Sequence, residues 1–245
     1  MQLDMYALSI TGRRSSNEDA ICAAPELGLF VVADGMGGYE GGEVASALTI
    51  EAIHELVRRT AGDADVTWPY KIDPALTVGE NELMVATRLA ADRIAARRTG
   101  DLGEMGSTVA AMLFTREHAV IAHVGDSRVY RLRDGALQQL TTDHSLVAQL
   151  MTNGMSAEEA ERCPWRHVVT RALGTTSAEP EVQREPARPG DAYLLCSDGL
   201  SEVLAPAEIA ALLTLPVEQA CRALVDAAYA AGSRDNISAI VVRCC

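Results

Sequence analysis

Between Thr108 and Leu140 the chain carries no helical periodicity. Four short runs of strand character, Thr108 to Thr115, Ala119 to Val124, Arg128 to Arg133 and Ala136 to Leu140, follow one another with very short connections. Asp134-Gly135 between the last two is a hairpin signal, because both residues tolerate the positive φ that a tight primed turn demands. Strands joined this closely must pair antiparallel, since a parallel pair needs a crossover of a dozen residues or more.

The remaining pattern groups in the same way. Met5 to Thr11 alternates, with Tyr6, Leu8 and Ile10 on one face, and Leu29 to Ala33 is a short apolar run ending at Asp34-Gly35. From Glu43 the spacing turns helical, with Val44, Ala47, Leu48, Ile53, Leu56 and Val57 forming a stripe that fades near Arg59. A second helix is expected from about Pro74 to Arg98, facing inward through Leu83, Ala86, Leu89, Ala90 and Ile94. After the strand block, residues from about Ser145 to Glu161 read as a polar helical excursion broken at Asn153-Gly154. Strands return at Glu181 to Glu185 and Asp191 to Ser197, helices at Pro206 to Leu213 and Pro216 to Ala231, and a last strand at Ile237 to Arg243. Helices grouped with helices and strands with strands predict an α+β protein in which antiparallel sheets are covered by helices. No repeat or linker divides the 245 residues, so one domain is expected.

Charge narrows the partners. Thirty-four Asp and Glu against 21 Lys and Arg give a net charge of −13, which argues against nucleic acid and anionic membrane. The Arg93, Arg97 and Arg98 cluster reads as a solvated helix face. Six Cys, at 22, 163, 196, 221, 244 and 245, lack any CxxC pair or disulfide-framework spacing and read as reduced, mostly buried thiols. The N-terminus resembles no signal peptide, and no run approaches the roughly 18 apolar residues of a membrane span. A cytoplasmic protein is expected.

Chemistry is foreshadowed by a recurrence. Asn17-Glu18-Asp19, Asp34-Gly35, Gly125-Asp126-Ser127, Ser197-Asp198-Gly199 and Arg234-Asp235-Asn236 each place an acid at a strand end or in a sharp turn beside one. One Asp-Gly is ordinarily only a turn; five acidic corners are harder to assign to backbone preference alone. If they converge, their repulsion must be relieved by protons or cations, and hard oxygen ligands select Mg²⁺ or Mn²⁺ before zinc. The five His, at 54, 118, 123, 144 and 167, show no HxxxH or HExxH spacing and read as surface or hydrogen-bonded structural groups.

The ordered series RSSNED (14–19), VVADGMGG (31–38), GST (106–108), VGDSRVY (124–130), LTTDHSLV (140–147), VVTRALG (168–174), LLCSDGL (194–200) and SRDNISAIVV (233–242) resembles that of the metal-dependent Ser/Thr protein phosphatases of type 2C, in their bacterial form. The resemblance spans nearly the whole chain. It implies an αββα sandwich, two antiparallel β-sheets packed face to face and flanked by helix pairs. One catalytic domain would cover residues 1–245, with a flap at about 144–167. It further implies hydrolysis of phosphoserine and phosphothreonine in proteins by direct attack of a metal-bridging water at a binuclear Mn²⁺ or Mg²⁺ centre, opposing Ser/Thr kinase signalling. On matching positions, Asp34 bridges the two metals, the Gly35 carbonyl ligates the first, and Asp19, Asp198 and Asp235 complete the second. Glu18 acts through a water or as support behind the ligands, and Asn236 steadies the site. Asp126 with Asp198 matches a third, weaker metal. Arg14 binds the phosphate oxygens, suited to it by a planar guanidinium. The partners implied are phosphoproteins, a Ser/Thr kinase or its substrates, and nothing demands more than a monomer.

Two departures stand out. The spacing at Gly12-Arg13-Arg14 leaves Arg13 as the alternative to Arg14, and Met36 occupies the position where many eukaryotic relatives place His as a general acid, so leaving-group protonation falls to water. Competing readings are weaker. DGMGGYEGG lacks the GxGxxG and GxxxxGK registers of a nucleotide loop, and Asp143-His144-Ser145 lacks a GxSxG elbow. A catalytically silent phosphoprotein binder should have lost a metal carboxylate, and Asp19, Asp34, Asp198 and Asp235 are all present.

Overall fold

The computed structural model describes residues 2–38, 40–61, 67–116, 118–165, 167–176 and 178–245. In chain order the elements are β1 (Leu3–Ile10), β2 (Asp19–Ala24), β3 (Leu29–Met36), α1 (Gly41–Thr60), α2 (Val78–Arg97), β4 (Gly106–Ser107), β5 (Val109–Phe114), β6 (His118–Val124), β7 (Arg128–Arg133) and β8 (Ala136–Gln139). They continue with α3 (Leu146–Thr152), α4 (Ala157–Glu161), β9 (Glu181–Pro186), β10 (Ala192–Cys196), α5 (Asp198–Ser201), α6 (Pro206–Leu212), α7 (Val217–Ala230) and β11 (Ile237–Cys244).

Two sheets result, ordered β1-β11-β10-β7-β8 and β2-β3-β5-β6-β9, with β4 paired to β3. Every pairing is antiparallel. The Asp134-Gly135 loop has φ of 51° and 78° and closes on the Arg133–Ala136 pair, as the hairpin signal requires.

Side-chain alternation separates three apolar layers and so defines the sandwich. Leu29 and Val31 of β3, with Val109, Ala111 and Leu113 of β5, pack under α1 and α2. Phe30, Val32, Ala110 and Met112 point the other way, where they meet Tyr193, Leu195, Ile240 and Val242 between the sheets. Leu194, Cys196, Ala239 and Val241 face α6 and α7 through Ile209, Ala220 and Leu224. The architecture is an αββα sandwich of the α+β class.

Several expectations shift. β2 carries no clear alternation and was not foreseen; it is an edge strand of mostly half-buried residues. α2 begins at Val78, because Thr77 caps it in a capping box with Glu80, while the Asn81 amide ties down the carbonyls of Asp73, Leu76 and Thr77. On α1, Ala47 is exposed and Ala45 and Ala52 are buried in its place; on α2, Leu89 is only half-buried. The arginine cluster is not wholly solvated, since Arg93 pairs with Glu55 at 2.5 Å and Arg98 donates to the carbonyls of Gly103 and Gly174. Of the six Cys, 163, 196, 221 and 244 are buried, Cys22 is half-buried and Cys245 exposed, all as free thiols. Among the described residues no helix is long and apolar enough to cross a membrane.

Candidate metal centre

The sheet registers bring the acidic corners to one edge of the sandwich. Asp19 opens β2 and lies opposite Asp34 near the end of β3. Asp126 sits in the turn between β6 and β7, Asp198 directly follows β10 at the start of α5, and Asp235 precedes β11. Because β1 ends beside the start of β11, with Ile10 opposite Ile237, the segment after β1 comes down next to Asp235. Residues from the first 20 and the last 15 positions therefore share one site.

Polar side chains fix these acids from behind. The Ser197 and Ser238 hydroxyls donate to Asp19 Oδ2 at 2.7 and 2.6 Å. Thr108 accepts from the Asp34 amide at 3.2 Å, donates its own amide to the Asp34 carbonyl at 2.8 Å, and shares a 2.7 Å hydrogen bond with Ser127. Asn236 accepts from the Glu18 amide at 2.8 Å and donates to the carbonyls of Thr11 and Ser16 at 2.9 and 2.8 Å. Gly35 and Gly42 make the closest approach in the site: a Cβ on Gly42 would stand 2.9 Å from the Gly35 carbonyl oxygen and 2.7 Å from the Glu18 carboxyl carbon. Hence the Gly35 carbonyl and the Glu18 carboxyl both face the first turn of α1.

Electrostatics show what this costs. Burial, more than any other cause, pushes Asp19 and Asp126 up to about 6, with Asp235 and Asp143 respectively adding repulsion. Asp34 rises well above the usual carboxylate range, through desolvation and then the charges of Asp19, Asp198, Asp126 and Asp235. Asp198 rises likewise, through desolvation and then Asp126 and Asp235. Glu18 is raised by burial. Asp19 Oδ1 and Asp198 Oδ1 are buried without a hydrogen-bond partner. Orphaned carboxylate oxygens among like charges fit a hard divalent cation, and they do not fit an apolar or anionic ligand.

The arginines separate clearly. Arg14 donates to Asp235 Oδ2 at 2.6 Å and thus points into the site. Arg13 turns away, stacked on the Tyr229 ring at 5.3 Å and donating to the Tyr229 carbonyl. Met36 lies on β3 against Gly106 of β4. A groove of about 960 Å³ runs from Asp126 and Asp198 past Glu202 and Val203, walled on its far side by Val147 and Met151 of the 144–167 segment. Position 166 of that segment lies outside the described residues. Ser197, Ser238, Thr108 and Ser127 received no role from the sequence, although each lies inside a quoted motif; Ser and Thr beside Asp in a turn carry no signal that distinguishes a brace from a turn former.

A fold of two antiparallel sheets between helix pairs, with acids gathered at one edge, defines the class, and the sequence agrees: the Protein phosphatase 2C family model matches residues 11–239. The chain belongs to that family. It is 36% identical over 230 residues to the serine/threonine protein phosphatase PstP of Mycobacterium tuberculosis, covering 93% of this chain and 42% of that protein. The serine/threonine phosphatase stp of Listeria innocua is 32% identical over 222 residues, 87% of this chain and 83% of that one. The crystal structure of the PstP catalytic domain in complex with two manganese ions superposes with a TM-score of 0.82 at 36% identity, covering 98% of this chain and 97% of that one. This chain thus spans less than half the length of the mycobacterial protein.

Proposed function

We propose that this chain hydrolyses phosphoserine and phosphothreonine in proteins at a centre of two divalent cations, Mn²⁺ or Mg²⁺, with a third held more weakly. The observation that carries the reading is the group Asp19, Asp34 and Asp198, raised by burial and then by the like charges around them, with a buried oxygen of Asp19 and one of Asp198 lacking any partner. Asp34, opposite Asp19 and within reach of the Asp198 charge, would bridge the two cations. The Gly35 carbonyl would complete the first position, and Asp19, Asp198 and Asp235 the second. Asp126 with Asp198 would hold the third. Once bound, such cations neutralise the cluster and lower the pKa of coordinated water toward neutrality.

The chain's own residues then position and orient. Ser197 and Ser238 orient the Asp19 carboxylate, and Thr108 holds the Asp34 backbone, so these two ligands would be positioned in part before anything binds. Glu18 and Asn236 would support the ligands from behind. Arg14 would leave Asp235 and take two phosphate oxygens through its planar fork. The Ser197 and Ser238 hydroxyls are committed to the Asp19 carboxylate; water would be the nucleophile, with no phosphoenzyme. With Met36 beside the site, water also protonates the leaving alkoxide.

Residues 1–245 would form one catalytic domain, with the 144–167 segment as a flap over the groove that receives a phosphoprotein, such as a Ser/Thr kinase or its substrate. The chain is expected to act in the cytoplasm as a monomer. The test is phosphate release from a phosphothreonine peptide: Mn²⁺ should support turnover and EDTA should stop it, and EDTA-resistant turnover would reject the reading. Deleting the flap should change protein-substrate selectivity more than hydrolysis of a small aryl phosphate. Equal losses on both would reject its recognition role.

A further inference from the structure

At the edge where β6 meets β9, His123, His144 and Glu181 bring three ligand-type atoms within 4.8 Å of one another, beside a cavity of about 240 Å³. Such spacing would suit a metal ion, but the protons do not allow one. The Gly125 amide donates to His144 Nδ1 at 3.1 Å, so that nitrogen must keep its lone pair. In a neutral ring the proton then sits on Nε2, which donates it to Glu181 Oε1 at 3.0 Å. Arg171 Nη1 donates to the same oxygen at 2.8 Å and lies 3.2 Å from His144 Nε2, so with Nδ1 occupied by the Gly125 amide both groups turn their protons to Glu181, and the guanidinium charge stands where a cation would have to bind. His144 therefore donates to the Glu181 carboxylate as a neutral imidazole, and the ion pair of this cluster is Arg171 with Glu181. His123 donates from Nε2 to the Thr142 carbonyl at 2.9 Å and stacks on His144 with centroids 4.6 Å apart, its Nδ1 buried without a partner.

What this assembly holds is the turn that carries Asp126. The His144 amide donates to the Gly125 carbonyl at 2.9 Å, completing a reciprocal pair with the Gly125 amide. On its other side the turn is wedged against Thr108. Gly125 has φ +101°, and a Cβ there would stand 2.6 Å from Thr108 Cβ. The same residue anchors the flap. The His144 carbonyl accepts from the Thr170 amide at 2.7 Å, Ser145 bridges to Val169, and the Leu146 amide donates to the Val168 carbonyl at 2.8 Å. Entry and exit of the flap thus meet at a buried imidazole, 5% exposed, that also grips the Asp126 turn.

We propose that His144 is a positioning residue, whose Nδ1 lone pair fixes the Gly125 amide and thereby sets Asp126 in place to hold the weak cation. The cation half rests on the reading of Asp126 as a ligand given above; the clamp itself does not.

Side-chain geometry supplies the test. His144→Asn puts an amide oxygen where Nδ1 stands and keeps an acceptor for Gly125, whereas His144→Gln and His144→Leu do not. Amide exchange at Gly125, followed by NMR on the Mg²⁺-loaded protein, should accelerate at least about tenfold in the Gln and Leu variants and stay within about threefold of the parent in the Asn variant. Mn²⁺ titration followed by EPR should show the weakest-bound equivalent lose at least about tenfold in affinity in the same two variants, with the tight equivalents unchanged. Parent-like Gly125 protection in His144→Gln, or an Asn variant as impaired as it, would overturn the clamp. Asp126→Asn should eliminate the weak equivalent; if it persists, the cation half fails while the exchange result still judges the clamp.

Discussion

The two ends of β10 solve the same problem in opposite ways. Asp191, just before the strand, is 1% exposed, and burial alone would raise its pKa. Instead it is held below the usual carboxylate range by Arg133, at 2.7 and 2.6 Å, by the Arg188 amide at 2.8 Å and by the Tyr193 hydroxyl at 3.2 Å. Asp198, just after the strand, meets Asp126, Asp235, Glu202 and Asp19 instead and is pushed well above that range. The residue type and the strand are the same. At one end the chain supplies the countercharge; at the other it gathers further acids.

The largest expected effect breaks the open end. Asp34→Asn should lower Mn²⁺-dependent phosphate release by about 10³-fold or more, the scale of losing a principal electrostatic element of a site. Unchanged turnover would remove Asp34 from the bridging role. At the closed end, Arg133→Leu leaves Asp191 buried and unpaired, at a cost of about 3 kcal/mol. For a chain of this size that lowers Tm by roughly 6–12 °C. The drop should be the same with and without Mn²⁺, and a metal-dependent drop would mean that the two ends are coupled.

Acidity sharpens the contrast. Asp19 and Asp126 titrate near 6 in the folded chain, against an ordinary 3.8, so the folded form binds protons more tightly than the unfolded one. Their penalty is complete above pH 6 and is relieved as pH falls toward 3.8. Asp191 has the opposite sign: its contribution is present above its ordinary pKa and is lost only as pH falls through its depressed value. Between pH 7 and 5, therefore, the open end gains stability, while His123 and His144, whose pKa values burial lowers, oppose that gain as the unfolded chain takes up their protons. From pH 7 to 5, thermal melts in EDTA should gain roughly 2 kcal/mol relative to melts in saturating Mn²⁺, a comparison in which the histidine contribution cancels. The same pH dependence with and without Mn²⁺ would contradict the repulsion.

Legibility in the sequence followed the same division. The sheets could be read because β5, β6 and β7 join by tight turns, and the gathering of acids because each lies at a strand end. β2 was missed because its residues are half-buried on both faces, which erases the period-two signal. The start of α2 was misplaced although Thr77-Val78-Gly79-Glu80 spells a capping box, because the apolar residues before it continue the helical rhythm. His144 read as an ordinary structural group, since its partners Gly125, Thr170 and Glu181 come from separate segments. Likewise, nothing local links Arg14 to Asp235, 221 positions away; the β1–β11 register does.

That pair closes the comparison at its smallest scale. Arg133 and Asp191 are nearly sealed, with side chains 16% and 2% exposed, whereas Arg14 and Asp235 stand open at 52% and 35%. An exposed pair is worth little and exchanges readily, so Arg14 can release Asp235 for a phosphate, while Arg133 cannot leave Asp191 without stranding a charge. Arg14→Ala should raise KM for a phosphothreonine peptide by about 10- to 100-fold, the worth of one charge-assisted contact, with little change in Tm. Arg14→Lys should recover only part of that loss, since an ammonium lacks the paired donors. Arg13→Ala, which removes only the stack on Tyr229, should stay within about twofold of the parent on the scale of such an exposed stack. Steady-state kinetics on the three variants decides it: a larger loss at Arg13 than at Arg14 would give the phosphate to Arg13.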